Sequence, residues 1–359
     1  MHLRSLSLHH FRCFESLRLS LSGETAIFHG RNAQGKTSIL EAACVLMRLQ
    51  SPRTASIADC LRFSTESFAV GGEIDSPDPV ELRFQHRPSG RRLVVDGETQ
   101  KRAGDYLRHS ALVVWMANDD LALVRGGGDG RRRYLDFMAS QLFPAYRPAL
   151  KAYEKALRSR NYLLKRDASP RWPEIDAYTR ILDEQGVVIT GCRRALIDNL
   201  RPFAAAAQEE IGGAGETLDL RYLSASGETD QLSAELLARR DDEVRRRQTA
   251  AGPHRDDLEL LLHGMPAAKF ASEGQQRTLV LALKLAQSRL FLDRRDRPPI
   301  LLIDDVFGEL DPGRRNALMA AWPAGSQKLI TTTHLDWLDE RFAGAGRYTV
   351  GGGEVTADV

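Results

Sequence analysis

Residues 30–37 read Gly-Arg-Asn-Ala-Gln-Gly-Lys-Thr, a complete GxxxxGK[ST] pattern. Such a loop binds phosphate when it joins a strand to a helix. The run Glu24–His29 predicts the strand. Ile39, Leu40, Ala43, Val45, Leu46 and Leu49 give the helix that follows its apolar faces. Backbone N–H groups of Gly30, Arg31, Asn32, Ala33, Gln34, Gly35 and Ser38 are then available to cradle phosphate, and the helix dipole favours its charge. Lys36 is expected to reach the β- and γ-phosphates, and the Thr37 hydroxyl to ligate Mg²⁺.

A second constellation lies far downstream. Ile300–Ile303 is an uninterrupted apolar run, as expected of a buried parallel strand, and it ends in Asp304 and Asp305. Asp304 is expected to hold Mg²⁺, and Asp305 to polarise the attacking water. Ser272-Glu273-Gly274-Gln275 precedes a helical pattern over Leu279–Leu292. A helix N-terminus of this composition suits a γ-phosphate.

Phosphate loop, Ser-x-Gly-Gln element and strand with two terminal carboxylates together resemble an ABC-type ATPase head. That resemblance implies that Ser272, Gly274 and Gln275 complete the site of a partner head related by two-fold symmetry, so ATP joins two chains. It also makes Asp311, in Gly308-Glu309-Leu310-Asp311-Pro312, a D-loop residue. It makes His334, after the strand Lys328–Ile330, a switch histidine that senses γ-phosphate.

The chain has 359 residues, 42% of them hydrophobic and 27% charged, ordinary values for a globular protein. No run of 18 apolar residues suggests a membrane span. The N-terminus has no signal-peptide apolar stretch, and Cys13, Cys44, Cys60 and Cys192 are scattered without CxxC spacing. A cytoplasmic, nucleoid-associated protein with reduced thiols and no zinc site is expected. The net charge of +2 is too small to argue for nucleic acid. Residues 121–166, however, hold eleven lysines and arginines against three acids, an excess of eight positive charges. Arg131, Arg132, Arg133, Lys151, Arg158 and Arg160 are the candidates for a DNA backbone.

The periodicity divides the chain. Residues 1–117 carry strand patterns at 68–75, 80–85, 91–96 and 111–116 around the phosphate-loop helix. From 118 it becomes helical, then strand-like at 217–223, with a charged helix near 230–247. The head pattern resumes at 248. The expected fold is therefore an α/β ABC-type head, 1–117 with 248–359, interrupted by a mostly helical lobe over 118–247. Sustained heptads are absent, so no long coiled coil is expected.

End to end, the sequence resembles the RecF family of bacterial recombination mediators, compact relatives of SMC heads. The resemblance rests on His10-Phe11-Arg12-Cys13-Phe14, Ser51-Pro52-Arg53-Thr54, Arg131-Arg132-Arg133-Tyr134-Leu135-Asp136, Arg160-Asn161-Tyr162-Leu163-Leu164 and above all Gly252-Pro253-His254-Arg255-Asp256-Asp257. It implies an ATP-dependent homodimer and slow, DNA-stimulated ATP hydrolysis. It implies action on single- and double-stranded DNA at gapped junctions. The implied partner is RecR, with RecO, in loading RecA. Asn118 stands where an ABC head carries its Q-loop glutamine nearby. A transporter subunit would instead hydrolyse ATP indifferently to DNA, and a non-catalytic scaffold would barely hydrolyse it.

Overall fold

The computed structural model describes residues 1–76, 78–166, 169–212, 215–225 and 232–358. Contacts divide the chain into Met1–Asp120 with Leu281–Val359, and Leu121–Val280. The second unit thus ends at Val280 rather than at 247. Residues 248–280 belong with it because strand Asp257–Leu262 pairs with Leu218–Leu223.

The first unit contains two sheets. One has six strands in the order Glu354–Ala357, Gly346–Gly351, Thr25–His29, Lys328–Thr332, Ile300–Asp304, Val113–Ala117. All but the Glu354–Ala357 edge run parallel. The central strands carry apolar runs, with Ile300–Ile303, Leu329 and Ile330 at 1% exposure or less, as burial on both faces requires. The other sheet is antiparallel. Its strands Phe14–Ser20, Ser5–Phe11, Phe68–Ser76, Asp78–Arg87, Gly90–Val95 and Glu98–Gln100 lie in that order, with His2–Leu3 paired to Phe68–Ser76. Helix Lys36–Arg48 touches strands of both sheets. Nearly every one of its residues is buried, so it forms the shared core of this unit.

The second unit is built on helices Gly128–Leu142, Tyr146–Arg166 and Trp172–Gly212. The last has 41 residues, a length of roughly 60 Å, and packs along Tyr146–Arg166. Where one charged helix was expected near 230–247, two short ones form, Leu232–Ala238 and Arg240–Arg246; residues 230 and 231 lie outside the described residues. Among the described residues no helix is long and apolar enough to cross a membrane.

Candidate functional site

In the parallel sheet, His29, Asp304, Thr332 and Ala117 end their strands at the same edge. Ligands of open α/β sheets bind beyond such carboxyl ends. The loop after His29 has the backbone that a phosphate cradle needs. Gly30 has φ +143, and a methyl group there would lie 2.3 Å from the Val350 carbonyl oxygen. Gly35 has φ +102, and its methyl would strike Cys13 and the Phe14 ring below 3 Å. Ala33 also takes a positive φ, +64. Alternation of handedness turns successive N–H groups to one side. Arg31, Asn32 and Ala33 are exposed on the loop, whereas Ser38 is buried. Gln34 pins the loop by accepting a hydrogen bond from Gly352 N at 2.9 Å.

Lys36 Nζ donates to the carbonyls of Gly30 at 2.7 Å and Arg31 at 2.9 Å, which holds it across the loop. Burial lowers its pKa, while Asp305 and Asp304 oppose the shift. Thr37 Oγ1 donates to Asp304 Oδ1 at 2.7 Å, and Thr331 Oγ1 donates to the same oxygen at 2.7 Å. The two expected Mg²⁺ ligands therefore touch. The described residues contain no cluster of three or more His, Cys, Asp or Glu side chains suited to a metal. One hydroxyl and one carboxylate beside a phosphate cradle suit Mg²⁺, which keeps waters and takes its other ligands from phosphate.

Asp305 follows with φ +54, and its N–H donates to both the carbonyl and the hydroxyl of Thr331, at 3.2 and 3.0 Å. Burial raises its pKa; nearby Lys36 lowers it, and Asp304 and Glu309 raise it further. A raised pKa fits a group that must take up a proton. Asn118 Nδ2 donates to the Asp305 carbonyl at 3.0 Å and to Glu309 Oε1 at 2.9 Å. That places Asn118 beside the second carboxylate. His334 is exposed; its Nδ1 lies 3.0 Å from Thr333 Oγ1, and its carbonyl accepts from Thr332 Oγ1 at 2.9 Å. A methyl group on Gly308 would be 3.1 Å from the His334 ring, so Gly308 and His334 lie side by side. Asp311 caps helix Pro312–Ala321, accepting from Arg314 N at 3.0 Å.

Sequence reasoning missed three supports of this site. Thr331 orients Asp304 and Asp305 together. Buried Lys284 donates to the Trp115 carbonyl at 2.8 Å and to Asp120 at 2.6 Å, and Asp120 accepts from Ala117 N at 2.7 Å; this ties the end of strand Val113–Ala117. Glu41, fully buried in the phosphate-loop helix, binds Arg12 Nη2 at 2.7 Å, Ser51 Oγ at 2.5 Å and Arg53 Nη1 at 3.2 Å. Glu41 and Lys284 each left a trace in sequence, a lone charge within an apolar run of a helix, Ile39–Leu46 and Leu279–Ala286.

In the second unit, Ser272 and Gln275 form a reciprocal cap: Gln275 N donates to Ser272 Oγ at 3.3 Å, and Ser272 N to Gln275 Oε1 at 2.9 Å. Gln275 Nε2 also donates to Glu216 at 2.9 Å. Ser272 remains exposed and Gly274 half-buried at the start of helix Glu273–Arg295.

The DNA candidates separate sharply. Arg160 is 1% exposed and makes a two-pronged ion pair with Glu243 at 2.8 Å, with further bonds to Thr179 at 3.0 Å and Thr249 at 2.9 Å. It cannot reach a phosphate backbone, so its expected DNA contact is corrected. Arg131 forks onto Asp257 with two 2.7 Å bonds, and Arg132 donates to the Asp256 carbonyl at 2.7 Å; both are committed internally. The other partners of Gly252–Asp257 are equally structural. Arg193 Nη1 donates to Pro253 O at 2.7 Å, and Tyr153 Oη lies 2.7 Å from His254 Nδ1. A methyl on Gly252, φ +124, would lie 2.3 Å from that tyrosine oxygen. Arg133, Lys151 and Arg158 are exposed.

This arrangement defines a P-loop ATPase head of the ABC type carrying an inserted helical region. Residues 5–187 match the family described as an AAA domain. The chain belongs to the RecF family of DNA replication and repair proteins. It is 39% identical over 354 residues to DNA replication and repair protein RecF of Synechococcus sp., covering 94% of this chain and 93% of the relative. Its likeness to the RecF of Thermosynechococcus vestitus is 40% over 347 residues, 93% and 91% of the two chains. The solved structure of the recombination mediator protein RecF-ATPrS in the RecFOR pathway is 27% identical, with TM-score 0.89 over 100% of this chain and 98% of that one.

Proposed function

We propose that this chain is an ATP-driven DNA clamp of recombinational repair. The observation that carries the reading is the Thr37–Asp304–Thr331 contact at the mouth of the phosphate loop. It supports a Mg·ATP site in which Thr37 and Asp304 hold the metal. When bound, Mg²⁺ neutralises charge on the β- and γ-phosphates.

Lys36 exchanges its loop carbonyls for phosphate oxygens. Asp305 takes the proton of the attacking water, and His334 meets the γ-phosphate side of the site. Asn118 fixes the main chain that carries Asp305. Exposed Ser272 with Gly274 and Gln275 completes the site of a second copy in trans, and Asp311 holds the D-loop turn between the copies. ATP binding therefore closes a homodimer, and slow hydrolysis, stimulated by DNA, opens it. The relatives' names, a DNA replication and repair protein and a recombination mediator of the RecFOR pathway, support a DNA-directed role in recombination; within it the proposed action is at single-strand gaps, on single- and double-stranded DNA, with RecR and RecO in loading RecA. A cytoplasmic, nucleoid-associated location goes with that role.

The test is binding to a fluorescent gapped duplex with and without Mg·ATP at two salt concentrations. Tight binding that needs ATP and weakens steeply with salt supports the clamp. Absence of binding in both states, with ATP turnover intact, refutes it.

A further inference from the structure

The antiparallel sheet of the first unit buries one face and leaves the other open. Leu6, Leu8, Leu17, Leu19, Val70, Leu82, Phe84 and Leu93 line the buried face. Alternation puts their neighbours outside. Register aligns Ser16, His9, Ala69, Gln85 and Arg92 in one row of that face, and Arg18, Ser7, Gly71 and Arg83 in the next, where Gly71 itself is buried. Small side chains thus floor the middle and arginines stand at the sides. Arg18 and Arg83 are three strand spacings apart, about 14 Å. Arg87 extends the same face past Gln85. The row on the other side carries Glu73 and Glu81, and Arg83 touches Glu81 at 3.3 Å. The face is therefore polarised, cationic toward the His9 end.

At that end the structure presents Phe63, 93% exposed. A single exposed apolar residue is unremarkable in itself. This one is held out on a pinned turn. Arg62 N donates to His10 O at 2.9 Å, and the Arg62 carbonyl accepts from Thr65 N at 3.1 Å and Thr65 Oγ1 at 2.8 Å. Leu61 bridges to Phe11, and Ser64 takes φ +64 to close the turn. Arg62 also pairs with Glu15 at 3.4 Å. Beside the turn, the rings of His9 and His10 stack at 3.9 Å. π-Surfaces carried on a pinned backbone, next to a floor of small residues flanked by arginines, suit unpaired bases with their backbone. A duplex hides its base faces and offers such rings nothing to stack on.

We propose that the open face of this sheet binds single-stranded nucleic acid, with Phe63 stacking on an unpaired base. The proposal rests on the reading that the chain binds DNA, and it places an ssDNA contact on the ATPase head rather than on the helical lobe.

The test uses the full chain with Mg·ATP, a fluorescent oligo(dT) and a blunt duplex of equal length. Phe63→Ala is expected to weaken oligo(dT) binding about 5- to 100-fold and leave duplex binding within about twofold. Phe63→Trp restores oligo(dT) binding, and Arg92→Glu weakens it with a reduced salt slope. Basal ATP turnover is unchanged in all three. Unchanged oligo(dT) affinity in Phe63→Ala, or an equal loss on the duplex, overturns the stacking site while leaving the clamp standing. Wild-type protein that binds neither DNA overturns both.

Discussion

Arg160 offers the sharpest separation between what its charge suggests and what its surroundings dictate. Both it and Glu243 are at most 1% exposed, and the guanidinium satisfies the carboxylate with two 2.8 Å bonds. Glu243 also accepts from Ala250 N at 2.9 Å. Arg160→Ala would leave a carboxylate buried without its counter-charge, which typically costs about 3–5 kcal/mol. For a unit of this size each kcal/mol lowers Tm by about 2–4 °C, so a fall of roughly 6–20 °C is expected. Scanning calorimetry of the full chain measures it. Replacing both partners, Arg160→Met with Glu243→Leu, removes the orphaned charge and is expected to recover most of the loss. DNA affinity, measured well below the transition, stays within about twofold of wild type, because a buried arginine releases no counterions from DNA. A variant with wild-type Tm and strongly weakened DNA binding would refute this reasoning and return Arg160 to the DNA surface.

Two other outcomes follow from the titrating groups. Asp305→Asn should slow ATP turnover by about 10²- to 10⁴-fold while nucleotide binding persists. In the unaltered chain, turnover is full at neutral pH and falls on acidification with a midpoint above the ordinary carboxylate value, since burial raises that carboxyl's pKa; a pH–rate profile flat down to the ordinary value would contradict the assignment. Burial pushes His254 down from 6.5 to about 4. The unfolded chain thus binds a proton that the folded chain refuses, and this stability is full above pH 6.5 and lost as pH falls through about 4. The contribution is up to about 3 kcal/mol. Denaturant midpoints of the unaltered chain and His254→Gln between pH 7 and 4.5 isolate it, and parallel pH profiles for the two would exclude it.

Local pattern carried much of the head. The phosphate-loop strand and helix and the apolar strand ending in Asp304 are each written in one contiguous stretch whose spacing fixes both backbone and chemistry. The strand expected at 111–116 forms at Val113–Ala117, a shift of the size that frayed ends allow. Pairing over long separations was not legible. Arg160 and Glu243 are 83 residues apart, and Arg131 and Asp257 are 126 apart. A count of positive charge over 121–166 therefore could not reveal which arginines were already neutralised inside the fold. The motif Gly252–Asp257 was specific in sequence, but its physical reason, a set of buried and half-buried bonds to Arg193, Tyr153, Arg131 and Arg132, appears only once the helices are assembled. The open sheet face was invisible for the same reason, since His9, Arg18, Arg83 and Arg92 become neighbours only through strand register.

The central claim is that ATP joins two copies of this chain through the Ser272 element. Sedimentation velocity of the Asp305→Asn chain, with and without Mg·ATP and with Ser272→Arg added, tests it most directly. The account predicts a monomer without nucleotide, a dimer with it, and a monomer that still binds ATP when Ser272→Arg is present. A monomer at saturating Mg·ATP, or a Ser272→Arg chain that dimerises like its parent, would contradict it.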